Sequence, residues 1–477
     1  MIEMASNIDT SFCSRAPVSL GRPAAASNIP ETCEIVEVSE IRDLLEYNPP
    51  QPFSTSAVLN YCQRKMILPY TRLLGLLGLR PLLGDFNDQT LALSAINKIH
   101  LFFVTCFLIF GYVMQLFTCY RRDTGFSYVK SSGIDNLIQN HHQHLTKLKE
   151  TTETVCDGSL FLCYILPPLL HLCAFIQTIY LLRITDNEHL QTLFEKVFLL
   201  TSRARGAKTQ RVLLRRLRIH VILSVIWLLW SLVAQIFLVC TSTIKMVSFL
   251  PQMSYVVRNS LMGIMIASTL CQDVVHCLVV SNYCIECQLL MSYVSSISER
   301  VVEKSLSLEV AMKEMLEFEK FLLYFAMKEM LEFEKFLLYL NENVSPAIGL
   351  LLLLSTTRTI VTTLTVIHPG FLYYTIDAHS FIVIMLLIQW ASVSIAPLVS
   401  AAYVTASSRN VRTMGMKIRV RPFGFQDVPA QKLDSFMTFM ACHKGVAKLC
   451  FVPISAGSLG AVVAIAALIF LISVNVS

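Results

Sequence analysis

Seven long apolar stretches, separated by polar segments, dominate the pattern of the chain. Each is close to the roughly 20 apolar residues that an α-helix needs to cross about 30 Å of hydrocarbon. They run over Ile99–Phe117, Leu160–Leu182, Ile219–Val239, Ser260–Val280, Ile348–Ile367, Phe381–Val404 and Phe451–Val474. The pattern therefore predicts an all-α, polytopic membrane protein with seven transmembrane helices.

The residues before the first span have a different character. Residues 1–56 are rich in proline and polar residues and lack a sustained apolar run, which predicts a disordered cytoplasmic tail. Residues 57–98 form an amphipathic pre-span segment, whose apolar part is too short and too interrupted by glycine and proline to span alone. That part is expected either to lie along the inner membrane surface or to pack as a partly buried helix on the bundle.

The remaining segments follow from the same pattern. We expect transmembrane helices 1–4 over residues 99–290, a cytoplasmic anchor helix over 291–345, helices 5–6 over 346–404, a basic cytoplasmic segment over 405–450 and helix 7 over 451–477.

Composition supports a membrane environment. The chain is 54% apolar and 15% charged, whereas soluble domains carry about 45–50% apolar and about 25% charged residues. This excludes a disordered protein, a nucleic-acid-binding domain and a disulfide-stapled secreted module. Membrane lipid is therefore an expected partner and nucleic acid is not.

Basic residues are distributed unevenly between alternate loops. One set of loops and flanks, beginning with the flank before the first span, holds 28 lysines and arginines, and the opposite set holds 7. Basic loops stay in the cytoplasm, so the amino terminus is predicted to be cytoplasmic and, after seven crossings, the carboxyl terminus extracellular. This orientation is the reverse of that of G-protein-coupled receptors.

The pre-span segment carries a family resemblance. Pro69–Tyr70, Leu73–Leu74–Gly75–Leu76 and Arg80–Pro81–Leu82, together with seven inverted spans and a long fourth cytoplasmic segment, resemble the arthropod gustatory receptor family, which is related to the insect odorant receptors. The resemblance implies a gustatory-type chemosensory receptor in the plasma membrane, a ligand-gated, non-selective cation channel opened by small organic tastants. It also implies a homo- or hetero-tetramer, a pocket that spans 1 to 6 form and that opens outward, and a pore lined by the last span.

The last span departs from the family pattern. The family's Thr-Tyr and Gln-Phe pairs align with Ala464–Ile465 and Leu471–Ile472, so none of the four residues matches. If this span lines a pore, one face at helical spacing forms a candidate hydrophobic gate. That face consists of Val462, Ile465, Ile469 and Ile472. By composition alone, the same span suits a helix that simply faces lipid.

Ionisable residues inside the apolar spans are candidate ligand contacts, because charges at membrane depth are costly and usually face a cavity or each other. Asp273 lies midway along the fourth span, with His276 one turn further on the same face. Arg358 lies midway along the fifth span, near Thr362. Two interpretations stay open: a buried Asp273–Arg358 ion pair that fixes helix packing, or a polar wall of the ligand pocket.

Aromatic and amide residues in the outward halves of the spans are further candidates for the pocket. These are Tyr112, Gln115, Gln389 and Trp390. A mostly apolar pocket with a few polar groups suits a small organic ligand. Aromatic residues at the outer ends of spans also serve as interfacial anchors, and the sequence leaves both roles open.

The predicted anchor helix contains an internal repeat. Residues 311–325, AMKEMLEFEKFLLYF, are followed directly by AMKEMLEFEKFLLYL at residues 326–340. Fifteen residues add about 22 Å of helix and rotate its apolar face by about 60°. The repeat is either a recent duplication or gene-assembly error, or a functional extension of the region where subunits meet.

Cysteine spacing and motifs limit the other function classes. Cys119 and Cys156 flank the first outer loop and are the best-placed pair for a disulfide, while Cys284 and Cys287 lack the two further ligands of a zinc site. No phosphate loop, nucleophile elbow or zinc-protease motif occurs, so we expect no enzyme, no metal and no cofactor. The alternatives to a channel are a metabotropic, G-protein-coupled receptor and a secondary transporter.

Overall fold

A computed structural model gives the fold of most of the chain. It describes residues 64, 68–82, 91–122, 125–126, 128–130, 154–156, 159–185, 189–204, 207–246, 255–306, 316–367, 378–419, 434–435, 438–439, 445–455, 457–458 and 460. The predicted tail at 1–56 lies outside the described residues.

Nine α-helices account for nearly all of the described residues. They are α1 (Leu68–Leu76), α2 (Leu91–Phe117), α3 (Leu166–Tyr180), α4 (His189–Ala204), α5 (Ala207–Met246), α6 (Tyr255–Leu306), α7 (Leu316–Tyr339), α8 (Ser345–Ile367) and α9 (Ala378–Arg419). Wider π-helical turns extend α3 at both ends, over Leu160–Ile165 and Leu181–Thr185, and Leu340–Val344 join α7 to α8. This confirms the predicted all-α class.

Six helical segments in the described part of the chain are long and apolar enough to cross a membrane. They lie at Leu91–Phe117, Leu160–Arg183, Arg211–Cys240, Asn259–Glu299, Ala326–Val366 and Phe381–Asn410. Each contains most or all of one of the first six predicted spans. The chain is therefore a multi-pass membrane protein.

Helix α6 is the centre of the bundle. It contacts α2, α3, α4, α5, α7, α8 and α9, and its apolar segment is more buried than those of the other five spanning segments. By contrast, α2 and α5 expose rows of large apolar side chains, such as Phe102, Phe103, Ile222 and Leu223, which suit contact with lipid. Polar side chains in the middle of α6, such as Thr269, Asp273 and His276, are consequently shielded from both water and lipid.

The start of the predicted seventh span is not helical. Lys448–Leu449 (β5) pairs antiparallel with Val452–Pro453 (β6), and the turn between them places Cys450 and Phe451 at positive φ. Proline has no backbone N–H to donate and fits a short edge strand, which explains why the chain turns here although it is apolar. Residues 461–477, most of that predicted span, lie outside the described residues.

The pre-span segment packs on the bundle. Leu74, Leu77 and Leu79 are almost fully buried, and Gly78, at a φ of +73°, turns the chain just after α1 as glycine readily does. The Arg183 guanidinium at the end of the second span donates to the backbone carbonyls of Arg80 and Asn97, at 3.3 and 3.4 Å. These contacts correspond to the second expected arrangement, a partly buried helix that packs on the bundle.

A buried polar chain ties α1 to α6. The Tyr70 hydroxyl donates to Asn282 Oδ1 at 2.9 Å, and Asn282 Nδ2 donates to Glu286 Oε1 at 2.7 Å. Burial, followed by the nearby Glu286 carboxylate, raises the pKa of the Tyr70 hydroxyl. The hydroxyl therefore keeps its proton and remains a donor at neutral pH.

The second copy of the repeat packs against α6 and α4. Phe333 is fully buried and stacks on Tyr293 of α6, with ring centroids 6.5 Å apart. The Tyr293 hydroxyl donates to Glu329 Oε2 at 2.5 Å, and Lys196 Nζ of α4 lies 2.6 Å from Glu332 Oε2. All three α7 residues belong to residues 326–340; residues 311–315 of the first copy lie outside the described residues.

Short strands lie in the connection between the first two spans. Tyr120–Arg121 (β1) pairs antiparallel with Gly125–Phe126 (β2), and Tyr128–Lys130 (β3) pairs antiparallel with Thr154–Cys156 (β4). A disulfide joins Cys119 to Cys156, with Cα atoms 5.4 Å apart, which confirms the predicted pairing. The bond fixes the chain directly after α2 to the strand that precedes the second span.

Candidate functional site

Asp273 lies at the centre of a buried polar cluster between α5 and α6. Its carboxylate is fully shielded from solvent. It accepts hydrogen bonds from Ser231 and Gln235, which lie one turn apart on α5, the amide of Gln235 at 2.5 Å. Thr269, one turn before Asp273 on α6, donates to Gln235 Oε1 at 2.5 Å. The α5–α6 contact is thus a hydrogen-bonded ladder that holds the carboxylate in one position.

Arg122 forms the ion pair with Asp273. This arginine follows β1 in the connection between the first two spans, yet it is only 6% exposed. One of the two interpretations of the sequence pairs Asp273 with Arg358, because the two residues lie at similar depth in neighbouring spans. The chain instead turns back into the bundle after α2 and brings the Arg122 guanidinium to the carboxylate.

Apolar contacts hold that turn inside the bundle. The rings of Tyr120 and Phe126 lie 4.9 Å apart, in one buried cluster with Val239 of α5 and with Met262 and Met265 of α6. The Cys119–Cys156 disulfide adds a covalent link next to this cluster. Arg122 is therefore positioned by the residues on either side of it.

Trp390 on α9 lies against both arginines. The Cζ atom of Arg358 is 4.5 Å from the centroid of the indole ring, and that of Arg122 is 5.3 Å from it. A guanidinium over an aromatic face is attracted by the negative charge density of the ring. Arg358, one of the predicted site residues, thus joins the cluster through Trp390, another predicted one.

His276 is surrounded by aromatic rings. Its ring centroid lies 6.0 Å from that of Trp390, 6.2 Å from that of Trp227 and 6.4 Å from that of His171. Trp227 and Trp390 also meet edge to face at 6.2 Å. These rings form an apolar wall one helical turn from the Asp273 carboxylate.

The hydroxyl of Tyr112 and the amide of Gln115 extend the cluster to α2. Tyr112 Oη lies 2.5 Å from His171 Nδ1, and His171 Nε2 lies 2.9 Å from the backbone carbonyl of Gln272. A carbonyl can only accept, so Nε2 carries the proton and Nδ1 accepts from the tyrosine. Gln115 Nε2 donates to Gln272 Oε1 at 3.1 Å.

The other two predicted pocket residues, Gln389 and Thr362, are also buried. Gln389 precedes Trp390, and its backbone carbonyl accepts from Trp227 Nε1 at 3.2 Å. Thr362 donates its hydroxyl to the backbone carbonyl of Arg358, one turn earlier in α8, at 2.8 Å. Thr362 is thereby bonded within its own helix. The candidate pore residues Val462, Ile465, Ile469 and Ile472 lie outside the described residues.

Several members of the cluster were missed at the sequence level. These are Arg122, His171, Trp227, Ser231 and Gln272. His171 had a usable signal, because it is an ionisable residue in the middle of a predicted span. Arg122 had none, since an arginine just beyond a span normally lies in water. Among the described residues, no group of three or more His, Cys, Asp or Glu side chains is placed to hold a metal ion.

Comparison with known proteins identifies the fold. No protein-family model matches the sequence, and no curated protein matches it. Two solved structures are similar: the insect olfactory receptor OR5 from Machilis hrabei in complex with eugenol, and the same receptor without it. Their TM-scores are 0.58 and 0.56, at 10% and 12% sequence identity, and each comparison covers 87% of this chain and 98% of the receptor.

The similarity extends over almost the whole of the olfactory receptor. Both matches are to a receptor and neither is to an enzyme, as the sequence led us to expect. At this identity the likeness concerns the arrangement of the helices rather than individual side chains. The chain has the fold of an insect olfactory receptor.

Proposed function

We propose that the chain is a chemosensory receptor of the insect odorant and gustatory receptor superfamily, acting as a ligand-gated, non-selective cation channel. The observation that carries this proposal is the shared fold, which covers 98% of the olfactory receptor OR5. The pre-span residues Pro69 to Leu82 add the sequence resemblance to gustatory receptors. Small organic tastants are the proposed ligands of this gustatory-type member.

The ligand site that we propose is the cluster around Asp273 and Trp390. It combines aromatic walls with a few buried polar groups, which is the usual make-up of a small-molecule site. OR5 was solved with eugenol, which supports a small organic ligand for this fold. Such a ligand opens a channel by binding the open form more tightly than the closed one.

The proposed assembly is a homo- or hetero-tetramer in the plasma membrane, with the amino terminus in the cytoplasm and the carboxyl terminus outside. The excess of basic residues in one set of loops supports this orientation. Val462, Ile465, Ile469 and Ile472 remain the proposed gate of a central pore. An epitope at Met1 is expected to be hidden on intact cells and accessible after permeabilisation.

Patch-clamp recording tests the channel function directly. The full chain is expressed in a cell line without other chemoreceptors, and excised patches are exposed to sugars, bitter alkaloids and eugenol in nucleotide-free solution. A ligand-evoked cation current under these conditions supports a channel. A response that disappears on excision and returns only with GTP in the bath assigns a metabotropic receptor instead.

A matched variant separates gating from expression. Ile465→Asn places an amide in the proposed gate, and Ile360→Asn places the same amide on α8 at an exposed position. Only the former is expected to increase the current without ligand, because a polar group lowers the barrier to wetting a hydrophobic gate. Equal basal currents in both variants would count against the assignment of the last span to the pore.

A further inference from the structure

The cluster around Trp390 contains an unusual number of buried nitrogen atoms that lack a hydrogen-bond partner within the described structure. They are Arg122 Nε, Gln272 Nε2, His276 Nε2, Gln389 Nε2 and Trp390 Nε1. All five side chains are more than nine-tenths buried. Buried polar groups are nearly always hydrogen-bonded, so these atoms need partners from beyond the described residues, and a bound ligand is one source of them.

Acceptor atoms in the same region are few and mostly occupied. Asp273 Oδ2 already accepts from Ser231 and Gln235, and Oδ1 faces the Arg122 guanidinium. Gln389 Oε1 also lacks a partner among the described residues, and His276 Nε2 donates or accepts according to its tautomer. The groups left over are therefore mainly donors.

The charges in the cluster point in the same direction. Two guanidinium groups, those of Arg122 and Arg358, lie over the ring of Trp390 at 5.3 and 4.5 Å. The carboxylate that the described residues place in this cluster is that of Asp273, which pairs with Arg122, so the cationic groups outnumber the anionic ones. A ligand with negative charge and several acceptor atoms complements such a site, because charged hydrogen bonds are stronger than neutral ones.

We propose that this cluster binds a small organic carboxylate. The carboxylate accepts from Arg122 Nε and Trp390 Nε1, and the apolar body of the ligand lies against the rings of Trp227 and His276. The inference deepens the proposed function by naming the class of ligand and rests on it. The competing possibility, an organic cation that displaces Arg122 from Asp273, is an outcome of the same test.

Matched ligands test the proposal with the purified full-length protein. Hexanoate and phenylacetate are each compared with the corresponding primary amide and primary amine, by equilibrium competition against radiolabelled phenylacetate. We expect each carboxylate to bind at least tenfold more tightly than its amide, the effect of one hydrogen bond to a charged group. Equal affinity for acid and amide overturns the proposal, and tighter binding of the amine assigns a cation site at Asp273.

Substitutions locate the site. Trp390→Phe keeps an aromatic ring and removes the N–H, so carboxylate affinity is expected to fall about tenfold with little change for the amide. Arg122→Gln combined with Asp273→Asn removes both charges together and leaves no unpaired buried ion, so the variant is expected to fold and to lose the preference for acids. Trp230→Phe on α5, whose ring is 38% exposed, is the matched control and is expected to bind normally.

The readouts keep this inference separate from the channel proposal. Carboxylate binding without any ligand-evoked current supports the site and counts against the channel. Currents evoked by neutral ligands, with no preference for acids in binding, support the channel and overturn the carboxylate site. Retention of the acid preference in the Arg122 and Asp273 double variant overturns the assignment to this cluster.

Discussion

The second copy of the 15-residue repeat is expected to stabilise the packing of α7. Phe333 in this copy is 0% exposed and stacks on Tyr293. Truncation of a fully buried phenylalanine to alanine costs about 3–5 kcal/mol. With an unfolding entropy of about 2.1 cal/mol/K per residue over 477 residues, each kcal/mol corresponds to about 1 °C. Phe333→Ala should therefore lower the melting temperature by about 3–5 °C.

The chain contains its own control for this substitution. Phe318 has the same sequence neighbours in the first copy, so Phe318→Ala makes the same chemical change in the same local sequence. We expect a loss below about 1 kcal/mol, as for most substitutions away from a core, because the stacking on Tyr293 belongs to Phe333 of the second copy. Thermal unfolding of both detergent-solubilised variants, followed by size-exclusion chromatography with fluorescence detection, measures the difference.

Two results would refute this reasoning. Equal losses in the two variants would show that both copies carry packing, and an unchanged Phe333→Ala protein would show that the first copy replaces the second on Tyr293. Deletions provide a further check. Deletion of residues 311–325 keeps Leu340, which is 1% exposed, at its buried position before Asn341. Deletion of residues 326–340 puts Phe325 at that position instead, and the resulting overpacking is expected to cost about 1–3 kcal/mol.

Three shorter predictions concern α2 and the connection that follows it. Gly111→Ala puts a methyl group into a serine side chain of α6 and should cost about 1–3 kcal/mol, whereas Gly263→Ala, with nothing within 4 Å, should be neutral or stabilising in thermal unfolding. Cys119→Ser opens a disulfide that closes 37 residues and should cost about 4 kcal/mol, with one new thiol detectable by maleimide labelling. Tyr112→Phe leaves His171 Nδ1 without its donor and should lower stability by about 1–3 kcal/mol in the same melts.

Hydropathy was sufficient to place the first six spans, because a crossing helix must be about 20 residues long and mostly apolar whatever it packs against. The same rule failed at Phe451, where the sequence is apolar but the chain forms a hairpin. Apolar content does not distinguish a helix from a strand over a few residues, and Pro453 and the positive φ of Phe451 are the local features that decide it. A proline just after the start of a predicted span therefore deserves more weight than the average hydropathy around it.

The candidate site was predictable in part for a related reason. Charge at membrane depth identified Asp273 and Arg358, and the burial of Asp273 follows from its position in the central helix α6. The partner of Asp273 did not follow, because depth along a helix says nothing about a neighbouring loop that turns inward. Arg122 reaches Asp273 only because the chain turns after α2, and that turn depends on tertiary contacts of Tyr120 and Phe126 that have no sequence period.

The Cys119–Cys156 disulfide helps to determine where Arg122 lies in the candidate site. The disulfide at Cys119 and the packed rings beside it hold the loop, and the loop places one of the two guanidinium groups on Trp390. Arg358 comes instead from the transmembrane helix α8, so the two cations reach the same indole ring from independent elements. A displacement of the connection between the first two spans would remove Arg122 from the ring and leave Arg358 there, with the Asp273 carboxylate released from its ion pair. This connection is therefore part of the proposed site, and sequence changes in it should alter ligand preference as directly as changes in the helices.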